Sequence, residues 1–186
     1  ISADLALGAK VEAEGALLNG VLTATTIKFK DSARAEADIA ALDAVGKSFT
    51  LTGLPGITVT TNSQTGFQGH NGLTQFTDLQ VGDHVEVRGR PGTGNTVTAE
   101  EVKRTGVDDD VVLQGVVAAA SNPTLTIMGV SVLTSGLEFG GANGAVLTQT
   151  AFFQAITPNV TLVKVKGKFK NGAVEWKSAE LEGESN

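Results

Sequence analysis

Side chains able to do chemistry are few in this sequence, and they stand far apart. There are two histidines and no cysteine, so a thiolate nucleophile, a thiolate metal site and a disulfide are all excluded. His70 sits in the glycine-rich run GFQGHNGL, which reads as a loop. His84 opens the run HVEVRG, where Val85 and Val87 alternate toward a core, so His84 is expected to face solvent. The carboxylates that glycoside hydrolysis would pair, Glu12, Glu14, Glu86, Glu100 and Glu101, fall on strand positions expected to meet water. Asp108, Asp109 and Asp110 offer hard oxygen donors of the kind Ca²⁺ takes, but without the spacing of an EF-hand loop; the other reading is an acidic linker. G-x-S-x-G, the P-loop and H-E-x-x-H are all absent. No catalytic residue and no cofactor is therefore assigned, and the chain is expected not to be an enzyme.

Two further features bear on binding. Trp176 is the only tryptophan and lies on an otherwise polar strand, so a sugar or another oligomer unit could stack on it. In VKVKGKFK, residues 163 to 170, Val163, Val165, Gly167 and Phe169 take one face and Lys164, Lys166, Lys168 and Lys170 the other. Lysines in such a row guard an edge strand against unwanted pairing or meet an acidic partner. The matching face near the N-terminus carries Glu12 and Glu14, so one end of the chain reads acidic and the other basic.

The elements that must position these residues are strands. Glycine is abundant (23 of 186 residues), tyrosine is absent, and 41% hydrophobic against 18% charged residues is a globular composition. No apolar run reaches the roughly 18 to 20 residues a membrane-crossing helix needs. A net charge of −6 repels phosphate backbones, which argues against a nucleic-acid partner. The chain opens at Ile1 with no signal peptide, which reads as a mature or trimmed form.

The same motif is written three times. LALGAKVEAEG at 5 to 15 aligns with LQVGDHVEVRG at 79 to 89, and NVTLVKVKG at 159 to 167 is a worn third copy. Each is followed by a polar turn and another alternating strand; Asn-Gly at 19 and 20, and again at 171 and 172, is a strong hairpin signal. Upstream of the second and third copies lies a shared block in which Phe49 aligns with Leu125, Gly53 with Gly129, Val59 with Val132 and Phe67 with Phe139. The recurring phenylalanines read as core. The first copy has only four residues before Leu5, so the chain reads as half a unit plus two whole units. The divisions are a half unit at 1–30, a linker at 31–38, a barrel at 39–106 and a diverged barrel at 107–186. Propensity favours a helix over DSARAEADIAALDAVG, whereas the repeat makes Ala40 to Val45 a strand and leaves Asp31 to Ala37 as linker or helical turn. A short helix within 143 to 157 would turn Phe152 and Phe153 inward. The fold expected is all-β: tandem small antiparallel OB-like barrels with little helix.

Residues 40 to 102, written as F-T-L-x-G, I-T-V, L-x-x-G-D-x-V-E-V-x-G and T-V-x-A-x-x-V, resemble the bacterial family catalogued as domain of unknown function 5666. In the third unit LTIMGVSV and VKVKG match, while ITPNV replaces LQVGD; residues 5 to 30 match only the closing half. The resemblance implies small, often tandem OB-like barrels in exported or lipid-anchored envelope proteins, and implies no reaction.

Half a barrel exposes edges and an apolar face, read as Val11, Leu17, Val21 and Ile27, that it cannot bury alone. The function expected is that of an extracellular or envelope scaffold, a filament subunit joined head to tail by strand complementation between copies. Its interface would comprise Val11, Glu12, Glu14, Leu17, Val21, Ile27, Lys164, Lys166, Lys168 and Lys170. The alternative is a monomeric ligand-binding envelope module centred on Trp176.

Overall fold

A computed structural model describes residues 10–30 and 32–183, the side chains of 10–12 and 26–30 excepted. Alternation of apolar and polar residues, broken by glycine and asparagine at positive φ, gives almost entirely strands. β1 (Lys10–Leu18) and β2 (Val21–Lys30) form a sheet of their own. Then follow β3 (Ala33–Asp43), β4 (Ser48–Leu51), β5 (Thr58–Thr60), β6 (Gly66–Gly69), β7 (His84–Pro91) and β8 (Thr96–Arg104). The second block has β9 (Asp110–Ser121), β10 (Thr124–Ile127), β11 (Val130–Leu133), β12 (Glu138–Gly140), β13 (Val146–Leu147), α1 (Gln149–Gln154), β14 (Leu162–Lys170) and β15 (Ala173–Leu181).

Five strands of the first block close a ring. β3 pairs with β4, β4 with β5, β5 in parallel with β8, β8 with β7, and β7 returns to β3. Inside stand Ala33, Ala35, Ala37 and Ile39 of β3, Phe49, Val59, Val85, Val87, Val97 and Ala99, all at most 2% exposed. Small residues on one strand make room for large ones on others, as a narrow barrel requires. The linker expected at 31–38 is thus corrected: β3 begins at Ala33. Alternate residues Ala33, Ala35 and Ala37 are buried and Arg34, Glu36 and Asp38 are not fully so, a period-two pattern. A helix would turn Ala33 and Ala35 about 200° apart, and they could not share one core.

The second block repeats the order without closing. β9 pairs with β10 and β14, β10 with β11, and β14 with β15, but among the described residues β11 pairs with β10 alone and shares no ladder with β15. α1 lies between β13 and β14, where the first block has two 3₁₀ turns, His70–Gly72 and Phe76–Asp78. Thr148 caps it by accepting from the Ala151 amide, and Phe152 is fully buried against Phe139, with ring centres 4.9 Å apart. Phe153 is half-buried beside it.

The blocks join strand to strand. β3 and β9 are antiparallel with Ala35 opposite Leu113, and these two hold equivalent places, opposite Val87 and Val165 respectively. A pseudo-twofold axis therefore runs through that pair. Turns obey it: a Cβ on Gly53 would stand 2.6 Å from Val174 of the second block, and one on Gly129 would overlap the Asn95 side-chain amide of the first.

Candidate functional site

The β1–β2 hairpin turns through Asn19 and Gly20, both at positive φ, as a type I′ turn requires. Leu17 pairs with Leu22 and Leu18 with Val21, so Leu17 and Val21 lie on opposite faces rather than the single face expected. The two-residue turn, which sets Leu18 opposite Val21, is the reason. All four are exposed, Leu17 by 71%, Leu18 by 72%, Val21 by 65% and Leu22 by 46%. The side chains of Val11, Glu12 and Ile27 lie outside the described residues, and Glu14 is exposed on β1.

A single device marks this hairpin and two others. The ladder shifts between Glu14 and Gly15, with Gly15 opposite Ala24; between Arg88 and Gly89, with Gly89 opposite Ala99; and between Lys166 and Gly167, with Gly167 opposite Trp176. At each glycine a Cβ would overlap or press on the partner's backbone, standing 2.8 Å from Ala24 Cα, 3.1 Å from Ala99 Cα or 2.9 Å from Trp176 Cα. β1–β2 is therefore built like β7–β8, which closes the first barrel. Their surroundings differ: β7 lies on β3 and β8 on β5 and β6, whereas among the described residues neither β1 nor β2 is paired beyond its partner.

Lysines of the VKVKGKFK run do not guard an edge. β14 is flanked by β9 and β15. Lys164 pairs with Glu180 (3.1 Å) and Glu182, Lys166 with Glu180 (3.5 Å), and Lys168 with Asp109, Asp110 (3.0 Å) and Asp108 (4.0 Å). Burial works against the charge on Lys164, but Glu182 and Glu180 overcome it and raise its pKa. The basic end is thus largely neutralised within the chain, and Lys166 and Lys170 stand exposed on the strand. Correspondingly, Asp108–Asp110 cluster closely but around the Lys168 ammonium, which holds the Asp109 carboxyl below the ordinary range. Ca²⁺ is expected to leave the melting temperature unchanged while Lys168 is present; a rise on titration, read by calorimetry, would show a cation displacing the ammonium.

His84 and Glu86 are not at the surface, contrary to expectation; they are 4% and 8% exposed. They sit on the outer face of β7, beside Arg34, Glu36 and Asp38 of β3. His84 borders a crevice lined by Asp38, Thr52, Asp108, Val111 and Phe169, and its carbonyl accepts from the Thr105 amide (2.9 Å), so the connection between blocks covers it. Nε2 stands 3.8 Å from Glu36 and Nδ1 2.8 Å from Asp38. Glu36 foremost, then Asp38, raises the His84 pKa against the opposing effect of burial. His84 foremost, with Arg34, lowers that of Glu36. Arg34 also reaches Glu86 (3.1 Å), which takes Arg88 at 2.7 Å. His70 lies exposed in its loop, its carbonyl accepting from Arg104 (3.4 Å). Trp176 is half-buried and packs against the core, at the position Ala99 holds in the first barrel.

Strand order 1-2-3-5-4-1, with the third and fifth strands parallel, defines the first block as an OB-type barrel and the whole as an all-β protein. Such barrels recognise oligomers through the face of strands 2 and 3 and the loops joining 1 to 2 and 4 to 5. Here the 4–5 loops, at Asn95 and between Phe169 and Val174, lie against turns of the opposite block. The chain belongs to the family described as Domain of unknown function (DUF5666), whose family model matches residues 1–28 and 36–103, just over half its length. Comparison with curated proteins and with solved structures matches none of them. Among the described residues no helix is long and apolar enough to cross a membrane.

Proposed function

We propose that this chain is a non-enzymatic scaffold module that self-associates through its β1–β2 hairpin. One observation carries the reading: a barrel-closing hairpin, complete with its glycine bulge, stands as a separate two-stranded sheet with Leu17, Leu18, Val21 and Leu22 exposed. A two-stranded sheet is marginal in water, and free edges with apolar faces favour strand addition. Against an acid–base enzyme stands Glu36, one of the two carboxylates beside the histidine, which is held below the ordinary range when a general acid needs the reverse. The net charge of −6 disfavours nucleic acid as partner. Export to the cell envelope belongs to the reading on composition and family resemblance alone. Light scattering across a dilution series is expected to show particles larger than one chain, and Leu17→Ser with Leu22→Ser to reduce them to monomer. Unchanged particles in the double variant would sink the proposal, and a parent monomer would return attention to ligands of the Trp176 region.

A further inference from the structure

We infer that the acceptor for this hairpin is the free edge of β11 in a second copy, with β2 laid parallel to it in the register seen between β5 and β8; the inference rests on the self-association just proposed. In the first barrel Thr58, Val59 and Thr60 of β5 pair with Thr96, Val97 and Thr98 of β8, and the Thr58 amide donates to the Asn95 carbonyl (3.3 Å). β11 is the counterpart of β5, since Val132 opposes Leu125 as Val59 opposes Phe49. Its own closing strand, β15, does not reach it. Val174, which matches Val97, packs against the Gly53 turn of the first block. One apolar side chain of this strand stands in water, Leu133 at 60% exposed, beside the exposed Ser131.

The hairpin supplies what this edge lacks. Gly15 opposite Ala24 matches Gly89 opposite Ala99, so Val21, Leu22 and Thr23 correspond to Thr96, Val97 and Thr98. Transferred to β11, that register sets Val21 beside Ser131, Leu22 beside Val132 and Thr23 beside Leu133. Val21 and Leu133 then share the outer face, each covering apolar surface the other leaves in water, and Leu22 takes the inward face where Val97 stands in the first barrel. A contact between two different surfaces of one chain is heterologous, so repetition yields a ring or a filament.

A chain with no cysteine makes the test clean. Val21→Cys and Ser131→Cys variants, both at exposed positions, are mixed and oxidised, beside a mixture of Val21→Cys with Leu133→Cys, two residues out of register. The expected result is a disulfide-linked heterodimer in the first mixture at more than about tenfold the yield of the second, because Cβ atoms must approach within roughly 4.5 Å. Equal or absent cross-linking in a sample that light scattering shows to be assembled overturns the β11 acceptor and leaves self-association standing. Absence of assembly in the parent chain overturns both. Ser131→Pro supplies a second reading: on an edge strand it leaves the barrels folded and is expected to abolish assembly, and particles that persist with it contradict the inference.

Discussion

Gly89→Ala is expected to destabilise the first barrel by about 3 kcal/mol, the upper part of the range for overpacked sites. An added methyl would overlap the Thr98 carbonyl and stand 3.1 Å from Ala99 Cα. The obstacle is partner-strand backbone, which cannot rotate away, and β7 and β8 are both needed to close the ring. Gly15→Ala sets the same steric conflict in β1–β2, which shares no ladder with the barrels. Its expected result is an unchanged denaturation midpoint for the barrels together with loss of the assembled particle. The pair is read by urea denaturation and light scattering on the same samples. Equal loss of stability in both variants would mean that the hairpin is part of the barrel core.

The second large effect belongs to the ion cluster on β3 and β7. Arg34→Leu leaves Glu36 and Glu86 without their shared guanidinium, in surroundings where their side chains are 17% and 10% exposed. Stripping one partner from a buried pair costs about 3 to 5 kcal/mol; because Arg34 is itself 29% exposed, about 3 kcal/mol is expected. The same cluster sets a pH dependence. The folded state raises the His84 pKa, so its contribution is full below the unfolded value of about 6.5 and is lost as pH climbs through the folded one. Glu36 is lowered, so its contribution is full above about 4.5 and is lost as pH falls through the depressed value. Stability from this cluster is greatest between those limits, with Asp38, Glu86, Arg34, Arg88 and the Asp108–Asp110 run forming the field around the imidazole. His84→Gln is expected to flatten the alkaline limb of melting temperature against pH and to preserve the acid limb. An alkaline limb that survives the substitution would assign the effect to another group.

Residues that state their own geometry were the legible ones. Asn19-Gly20 and Asn171-Gly172 announce hairpins because few other pairs tolerate two successive positive φ angles, and the echo written V-x-V-x-G at 85–89 and 163–167 and V-x-A-x-G at 11–15 locates the bulged glycines of all three. β3 was hidden by composition: alanine, arginine and glutamate favour a helix, and only tertiary pairing with β7 and β9 makes ARAEADI a strand. His84 and Glu86 alternate with buried valines as surface residues do, and nothing local tells that Asp108 and Phe169 border the His84 crevice or that Arg34 and Arg88 lie over Glu86. Likewise the lysines of β14 look unpartnered because Asp109 is 59 residues from Lys168. The open seam at β11 arises from divergence between two blocks whose motifs are otherwise alike, which leaves no signature in either strand.

Ala35 opposite Leu113 marks the middle of a short join, for β3 and β9 share only three residue pairs. The first ring holds ladders as short, the three pairs between β4 and β5 and the three between β5 and β8, beside longer ones such as the seven between β7 and β8. Under tension, therefore, the join between blocks and the β5–β8 seam of the first barrel are expected to yield at comparable load, and parting of the join would pay out the Thr105–Asp109 connection as slack.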